Sequence, residues 1–467
     1  MRPCIQIDSI ETRVNYLRER HNNTMVFDSK NIDGNKRKVL TNVFWAMLGK
    51  IVNMLGALFV GILVARYLGP TQYGLMNYVI SYVTLFTVIA TFGLSNIEVR
   101  ELAKYPEKRD MLLGTCFCIR LFFSSVAYVL LALSLLIYRT DIFTTLMILL
   151  YGITLYTTCC FELIRNYFTS IIKNEYVVKS EIVRTLIGAC VKIALLYLHA
   201  PLWSFIAAVV FDSVLVASGY TISYQKEAGT IRKWKYNSTI VPDLLKQSFP
   251  LLLSGAAIII YQRIDQVMIG NMIDKESVGY FATAGKFLDV VLYIPMILVQ
   301  TITPLLVQWK KEDEKKYEIM SQRFINIVTW TSILLAFFIS LISYWLIRYT
   351  YGIMYLAAVP ILQIMVWKVV GLALSSSGGQ LIIIERKQKW AAIRNLCGCI
   401  VCVVLNFVFI PLYGAVGSAI VTICTVMTSG YLANAIIPPY RKFFKMETIA
   451  LLVGWRDLVF IKSFLTK

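Results

Sequence analysis

The chain has 467 residues, 58% of them hydrophobic, with a formal net charge of +19 and a mean hydropathy of +0.66. Soluble domains average about 45–50% apolar residues, and here the surplus lies in runs long enough to cross a bilayer, which excludes a compact soluble protein. The basic residues lie mostly in short segments between those runs, so the positive-inside rule accounts for the charge and no nucleic-acid partner is expected.

Residues 1–40 are polar and charged and lack the apolar core of a signal peptide, so we expect a cytoplasmic tail there. The first membrane hairpin follows at 42–97. Its two apolar runs are joined by RYLGPTQYG, in which Gly69-Pro70 and Tyr73-Gly74 supply turn chemistry. The two helices are therefore expected to be antiparallel.

Apolar runs of this kind continue along the chain and predict an all-α, polytopic membrane protein with about 12 transmembrane helices. Only helices and closed barrels satisfy their backbone polar groups in lipid, and runs of about 20 apolar residues exclude barrel strands. The predicted spans cover approximately 42–66, 75–97, 112–137, 142–164, 178–199, 201–223, 244–272, 278–305, 322–347, 353–384, 388–411 and 414–438.

The charges between the spans predict the orientation. With both termini in the cytoplasm, thirty basic residues from Lys30 onward fall between the spans or at their ends on the inner side, and only Arg66, Arg139, Lys275 and Arg348 fall on the outer side. An incorrect number of spans would destroy this alternation. The asymmetry therefore predicts a multi-pass protein of the cytoplasmic membrane with both termini inside.

Two halves of the chain share one plan. Gly74 follows the first span and Gly279, in VGYF, follows the seventh, so the two glycines are 205 residues apart. An even number of spans in each half predicts a parallel pseudo-repeat. The predicted parts are a six-helix lobe at 41–225, a cytoplasmic linker at 226–243, a second six-helix lobe at 244–440 and a basic tail at 441–467. Within that tail, METIALLVGWRDLVFIK is interpreted as an interfacial helix.

Cysteine spacing raises the question of a metal site. Cys397, Cys399 and Cys402 share one predicted helix, but no nearby histidine completes a zinc ligand set. Because free cysteine behaves as a small buried hydrophobe, neither a metal site nor a cofactor is expected. The Walker-type glycine loop, HExxH and GxSxG motifs are also missing, so the sequence predicts neither an ATP-driven pump nor an enzyme.

Charged residues within the spans are candidates for function, because inserting each one costs about 2.5–3.5 kcal/mol. Cations exceed carboxylates there, which suits an anionic cargo such as a diphosphate: arginine binds phosphate bidentately and lysine binds it as a point charge. The predicted cations of a central cavity are Lys50, Arg120, Lys192, Arg263 and Lys368. The carboxylates that we predict to bind a coupling proton or sodium ion are Asp265, Asp289 and Asp212.

A structural interpretation of the same charges stays open. Arg184 and Arg394 lie one or two turns from the inner face and are expected to extend their charged groups to the membrane surface. The remaining charges are also consistent with structural ion pairs within the spans: Asp289 with Lys286 and Asp212 with Lys192.

Several motifs also resemble a known family. ARYLGP followed by YG, FPLLLSGAAIIIYQRIDQVMIG, VGYFATAGKFLDVVLYIP and NFVFIPLYGAVGSAIVT are similar to stretches of polysaccharide flippases of the multidrug/oligosaccharidyl-lipid/polysaccharide exporter superfamily. The resemblance implies two lobes around a V-shaped central cavity and alternating access. It implies transfer of undecaprenyl-diphosphate-linked oligosaccharide from the inner to the outer leaflet, beside other membrane proteins of polysaccharide assembly. It carries over one position, Asp265 in RIDQVMIG.

Two other functions compete with a flippase. An ion-coupled exporter of drugs or metabolites from the same superfamily would favour an acidic cavity for cationic drugs, which the excess of cations disfavours. A polytopic polysaccharide polymerase or ligase would need a long polar outer loop, and the predicted outer loops are short.

Overall fold

The computed structural model describes the backbone of residues 29–138 and 141–460 and the side chains of 54–137 and 141–457. Within these ranges every regular element is a helix, which confirms the predicted all-α class. Most of the predicted tail at 1–40 lies outside the described residues. The α-helices are α1 (Ser29–Thr91), α2 (Ser95–Lys104), α3 (Arg109–Tyr138), α4 (Ile142–Gly152), α5 (Thr154–Ser170), α6 (Asn174–Tyr197), α7 (Leu202–Glu227), α8 (Val241–Met272), α9 (Lys275–Glu312), α10 (Glu314–Thr350), α11 (Ala358–Met365), α12 (Lys368–Ile384), α13 (Ala391–Met427), α14 (Ala433–Ile436) and α15 (Arg441–Val453).

Two of these helices contain a break at a glycine. In α1, Gly69 has a φ of 71°, in the left-handed region that favours glycine, and Pro70 follows without a backbone N–H. In α13, Gly414 has a φ of 63° and Pro411 precedes it by one turn. The predicted turn at Gly69-Pro70 therefore divides α1 into two helical arms. The arms are 29–68 and 70–91 in α1, and 391–413 and 415–427 in α13.

The number of spans agrees with the sequence. Among the described residues, nine helical segments are long and apolar enough to cross a membrane. Two of the nine contain the breaks in α1 and α13, and 9 + 2 gives eleven spans. Helix α6 has 24 residues, a length of about 36 Å at 1.5 Å per residue. Although its charged residues lower its hydropathy, it is long enough to be the twelfth.

The helices pack into two lobes, α1 to α7 and α8 to α15. Each lobe has a hydrophobic cluster of its own. A third cluster joins the lobes near Arg66 and Lys275, at the end that the charge pattern assigns to the outside. It contains buried side chains from both halves: Val79, Tyr82, Ile269, Val278 and Tyr355. The lobes are therefore closed against each other at that end.

The linker between the lobes is attached to the first of them. Helix α7 continues to Glu227 and α8 begins at Val241, so the connecting segment is slightly shorter than predicted. The backbone N–H of Lys235 donates to the carbonyl of Asp110 at 3.0 Å. The backbone N–H of Asn237 donates to Oγ1 of Thr115, also at 3.0 Å. Both acceptors belong to α3, so most of the linker lies along the first lobe.

The basic tail, for which the sequence suggests an interfacial helix, forms a helix that packs on the second lobe, and its position at a membrane surface stays a prediction. Its helix α15 buries Phe443, Glu447 and Ala450 completely. The indole N–H of Trp330 in α10 donates to the Ala450 carbonyl at 2.8 Å. A 3₁₀ segment at Gly454–Phe460 follows. The tail is therefore packed into the second lobe, and the amphipathic pattern marks its contact with α10 and α12.

Candidate anion site between the lobes

A cavity of about 260 Å³ lies between the lobes. Its wall comes from both arms of α1, from α6 and α7, and from α9 of the second lobe. Small residues of the first arm of α1, such as Gly56 and Gly61, leave room on one side. The lining residues are Gly56, Ala57, Val60, Gly61, Val64, Tyr73, Met76, Asn77, Ile80, Arg184, Thr185, Ala189, Lys192, Phe205, Val209, Asp212 and Lys286.

The charges on this wall are unbalanced. Arg184 and Lys192 of α6 and Lys286 of α9 carry three positive charges, and Asp212 of α7 carries one negative charge. The difference, 3 − 1, leaves two positive charges around a small cavity. A concave site with an excess of one charge attracts ligands of the opposite charge. The wall therefore has the electrostatics of an anion site.

Lys192 and Asp212 form an ion pair across the wall. Asp212 is buried, and its Oδ1 has no hydrogen-bond partner among the described residues. Gly188, one turn from Lys192, allows this approach, because a Cβ there would lie only 2.9 Å from Cγ of Asp212. The pair agrees with the structural alternative for these two residues, and it also holds the Lys192 ammonium group at the cavity.

Lys286 brings the second lobe into the site. The alternative pairing with Asp289 is not formed within 4.0 Å among the described side chains, although the charge of Asp289 acts on Lys286 at longer range. Asp289 itself is exposed. The positive charge of Arg263, a half-buried residue of α8, also acts on Lys286. Arg263 is therefore near the site but does not line it.

Arg120, a predicted cavity cation, lies elsewhere. Its side chain is fully buried inside the first lobe, where Nε donates to Glu98 at 2.6 Å and Nη2 donates to the same carboxylate at 2.8 Å. Nη1 pairs with Glu162 at 3.1 Å. Sequence analysis missed both glutamates as partners, because they lie on other helices. The assignment of Arg120 is corrected: it is the centre of a structural ion-pair network.

Arg184 and Arg394 also differ from the expectation that they reach the membrane surface. Arg184 lines the cavity. Arg394 lies in the second lobe, where its Nε and Nη1 are buried and the charge of Glu447 acts on it. The sequence contained a signal for Arg184, since Arg184, Gly188 and Lys192 follow at i, i+4 and i+8 on one helical face.

The predicted Lys50 lies in α1, and its side chain is outside the described residues. Its role at the cavity stays a prediction.

A second polar cluster lies within the second lobe. Asp265 of α8 is almost fully buried and accepts a hydrogen bond from Nδ2 of Asn406 at 2.6 Å. Sγ of Cys402 lies 3.3 Å from the same oxygen, and the charge of Lys368 acts on Asp265. The structure thus brings the predicted Lys368 and Asp265 together, away from the cavity wall. Asn406 and Cys402 were missed, although they lie one turn apart on one face of α13.

The chain is similar to known proteins in sequence family and in fold. The model of the family described as polysaccharide biosynthesis protein matches residues 39–310. No curated protein matches the chain. Among solved structures, the lipid II flippase MurJ in an inward closed conformation is similar at a TM-score of 0.69, with 17% identity over 88% of this chain and 92% of that one.

Two further structures share the fold. One is an inward-facing multidrug resistance MATE transporter of the MOP superfamily, with a TM-score of 0.63 and 14% identity over 86% of this chain and 96% of that one. The other is a MOP superfamily transporter from Pyrococcus furiosus, described by the reverse polarity of its binding pocket. It has a TM-score of 0.55 and 14% identity over 91% of this chain and 96% of that one.

Proposed function

Because the chain belongs to the polysaccharide biosynthesis protein family, we propose that it moves undecaprenyl-diphosphate-linked oligosaccharide repeat units from the inner to the outer leaflet of the cytoplasmic membrane. The fold is that of the multidrug/oligosaccharidyl-lipid/polysaccharide exporter superfamily. Its members are transporters, so the chemistry required of this chain is binding and release.

The observation that carries the proposal is the cationic wall of the cavity. A diphosphate has about two negative charges, which matches the excess of two positive charges among the residues that line the cavity. The Arg184 guanidinium suits bidentate contact with phosphate oxygens, and Lys192 and Lys286 act as point charges. A cationic drug would be repelled by the same wall, which disfavours the drug-exporter alternative.

Both lobes supply the site, as alternating access requires. Arg184 and Lys192 come from the first lobe and Lys286 from the second. A site at the interface is exposed to one side and then to the other when the lobes rock. Several moderate contacts with the diphosphate favour release better than one tight clamp. The lipid chain stays between helices in the bilayer while the sugar moves through water.

Ion coupling is assigned to Asp265 in this proposal. Its buried carboxylate, which accepts a hydrogen bond from Asn406, is an ionisable group within the second lobe that a proton or a sodium ion can bind. Asp212 is less suitable, because it already pairs with Lys192. Asp289 is exposed and acts on Lys286, so it is the second candidate.

The test replaces Arg184, Lys192 and Lys286 individually by Gln in a strain that lacks the native gene. Each variant should reduce surface polysaccharide and accumulate the lipid-linked oligosaccharide inside the cell, at unchanged protein level. Losing one charged contact of about 1.5–3 kcal/mol predicts a reduction of roughly tenfold or more. Lys315→Gln, an exposed lysine outside the cavity, is the matched control and should behave as the parent. If all three cavity variants complement fully, the diphosphate site is wrong.

A further inference from the structure

The two glycines that mark the pseudo-repeat meet each other in the structure. Gly74 lies in the second arm of α1 and Gly279 lies in α9. A Cβ on Gly74 would lie 2.7 Å from the backbone nitrogen of Gly279 and would overlap the carbonyl of Lys275. A Cβ on Gly279 would lie 3.3 Å from the backbone nitrogen of Gly74 and would overlap the carbonyl of Pro70. Both positions accept only glycine in this arrangement, because the neighbours are backbone atoms.

Contacts between the lobes surround this glycine pair. The Tyr78 hydroxyl donates to Oδ1 of Asn271 at 2.7 Å, and Nζ of Lys275 lies 3.2 Å from the centre of the Tyr78 ring. The Tyr355 hydroxyl donates to the Ala65 carbonyl at 2.7 Å. These contacts all lie at the end that the charge pattern assigns to the outside. The glycines are therefore at the centre of the closed end of the molecule.

The same glycine pair is one or two helical turns from the cavity. Tyr73 and Asn77, beside Gly74, line the cavity wall. Lys286 follows Gly279 by seven residues, which is two turns and about 10 Å along α9. In the arrangement in which α1 and α9 meet at these glycines, Lys286 therefore lines the same cavity as the cations of α6.

We propose that Gly74 and Gly279 form a backbone clasp that closes the outer end of the cavity and positions Lys286 opposite Arg184 and Lys192. The role of Lys286 rests on the proposed function, whereas the clasp rests on the geometry alone. Alanine at either glycine separates α1 from α9, and it favours the helix itself, so the lobes stay apart at the outer end. The variants then occupy the outward-open arrangement.

The test measures access to the cavity from outside intact cells. Asn77→Cys places a thiol on the wall, and a membrane-impermeant maleimide reports its exposure above the labelling of the parent with its native cysteines. Gly74→Ala and Gly279→Ala should each increase the labelling rate of Asn77→Cys by about tenfold or more, as a shift of population toward the open state requires. Gly285→Ala is the matched control on α9, because nothing lies within 4 Å of a Cβ there. It should leave the rate unchanged.

A milder variant tests the same contact in case the glycine substitutions prevent folding. Tyr78→Phe removes one hydrogen bond across the same contact without adding bulk, and it should increase labelling by about two- to threefold. Unchanged labelling in all three variants, at normal protein level, overturns the clasp, as does an equal increase in Gly285→Ala. Because labelling needs no substrate, this result is independent of the diphosphate assignment: the cavity-cation variants can complement while the clasp stands.

Discussion

The buried Arg120 of the first lobe and the half-buried cations of the cavity wall have different surroundings. Around Arg120, the carboxylates of Glu98 and Glu162 fill the guanidinium donors, and Ser95 accepts a further bond at 3.0 Å. The cavity wall, by contrast, has three cationic side chains, Arg184, Lys192 and Lys286, and one carboxylate, that of Asp212.

The comparison separates structural charge from functional charge. A buried cation whose donors are all filled by protein acceptors stabilises one arrangement of helices and has no capacity left for a ligand. An excess of cations around a cavity attracts ligands of opposite charge. Both groups look alike in the sequence, as isolated basic residues in apolar helices.

The largest effect on stability is expected at Arg120. Replacing Arg120 by Met leaves the buried carboxylate of Glu98 without its cation and with only the hydrogen bond from Asn166, which costs about 3–5 kcal/mol. We expect a strongly lowered thermal midpoint in detergent, and low protein level in membranes. In the double variant Arg120→Met/Glu98→Gln much of this loss should be recovered. A midpoint equal to that of the parent in the single variant would remove the distinction between the two groups.

An intermediate effect on stability is expected at the ion pair of Lys192 and Asp212, which joins two helices and also lies on the cavity wall. Lys192→Met leaves Asp212 buried and unpaired, which costs about 1–3 kcal/mol. Adding Asp212→Leu should restore the thermal midpoint but leave transport of the lipid-linked oligosaccharide impaired, because the cavity has still lost a cation. Recovery of transport together with stability would make Lys192 a purely structural residue.

The smallest effect on stability is expected at Asp265. Asp265→Asn keeps an oxygen for the Asn406 donor and removes a buried negative charge, so the thermal midpoint should stay within about 2–4 °C of the parent, the shift of 1 kcal/mol in a medium-sized domain. Transport should lose its dependence on a sodium or proton gradient, measured in vesicles with imposed gradients. Retained gradient dependence would exclude Asp265 as the coupling residue.

Much of the fold follows from local sequence. Apolar runs, the Gly69-Pro70 break and the charge alternation predict the helices and their number, because lipid leaves the backbone few alternatives. The site was predicted less well. The partners of Arg120 lie 22 and 42 residues away on other helices. The rotation of each helix, which decides whether a cation faces a cavity or a carboxylate, is set by packing that no local pattern contains.

The spacing between cations and small residues within single helices contained a further signal for the cavity residues. Arg184 and Lys192 share a face through Gly188, and Lys286 shares a face with Gly279. Lys286 was considered only as a partner for Asp289. A search for cations in register with small residues on the same helix would have found both Arg184 and Lys286.

The attachment of the linker to α3 has a mechanical consequence. Because Lys235 and Asn237 are bonded to the first lobe, only the 3₁₀ turn Ser238–Ile240 lies between these bonds and the start of α8. Three residues reach at most about 10–11 Å when fully extended. The start of α8 is therefore held beside the first lobe, and Leu244 of α8 belongs to the hydrophobic cluster of that lobe. If the lobes separate, we expect the larger opening at the opposite end, where the two glycines meet.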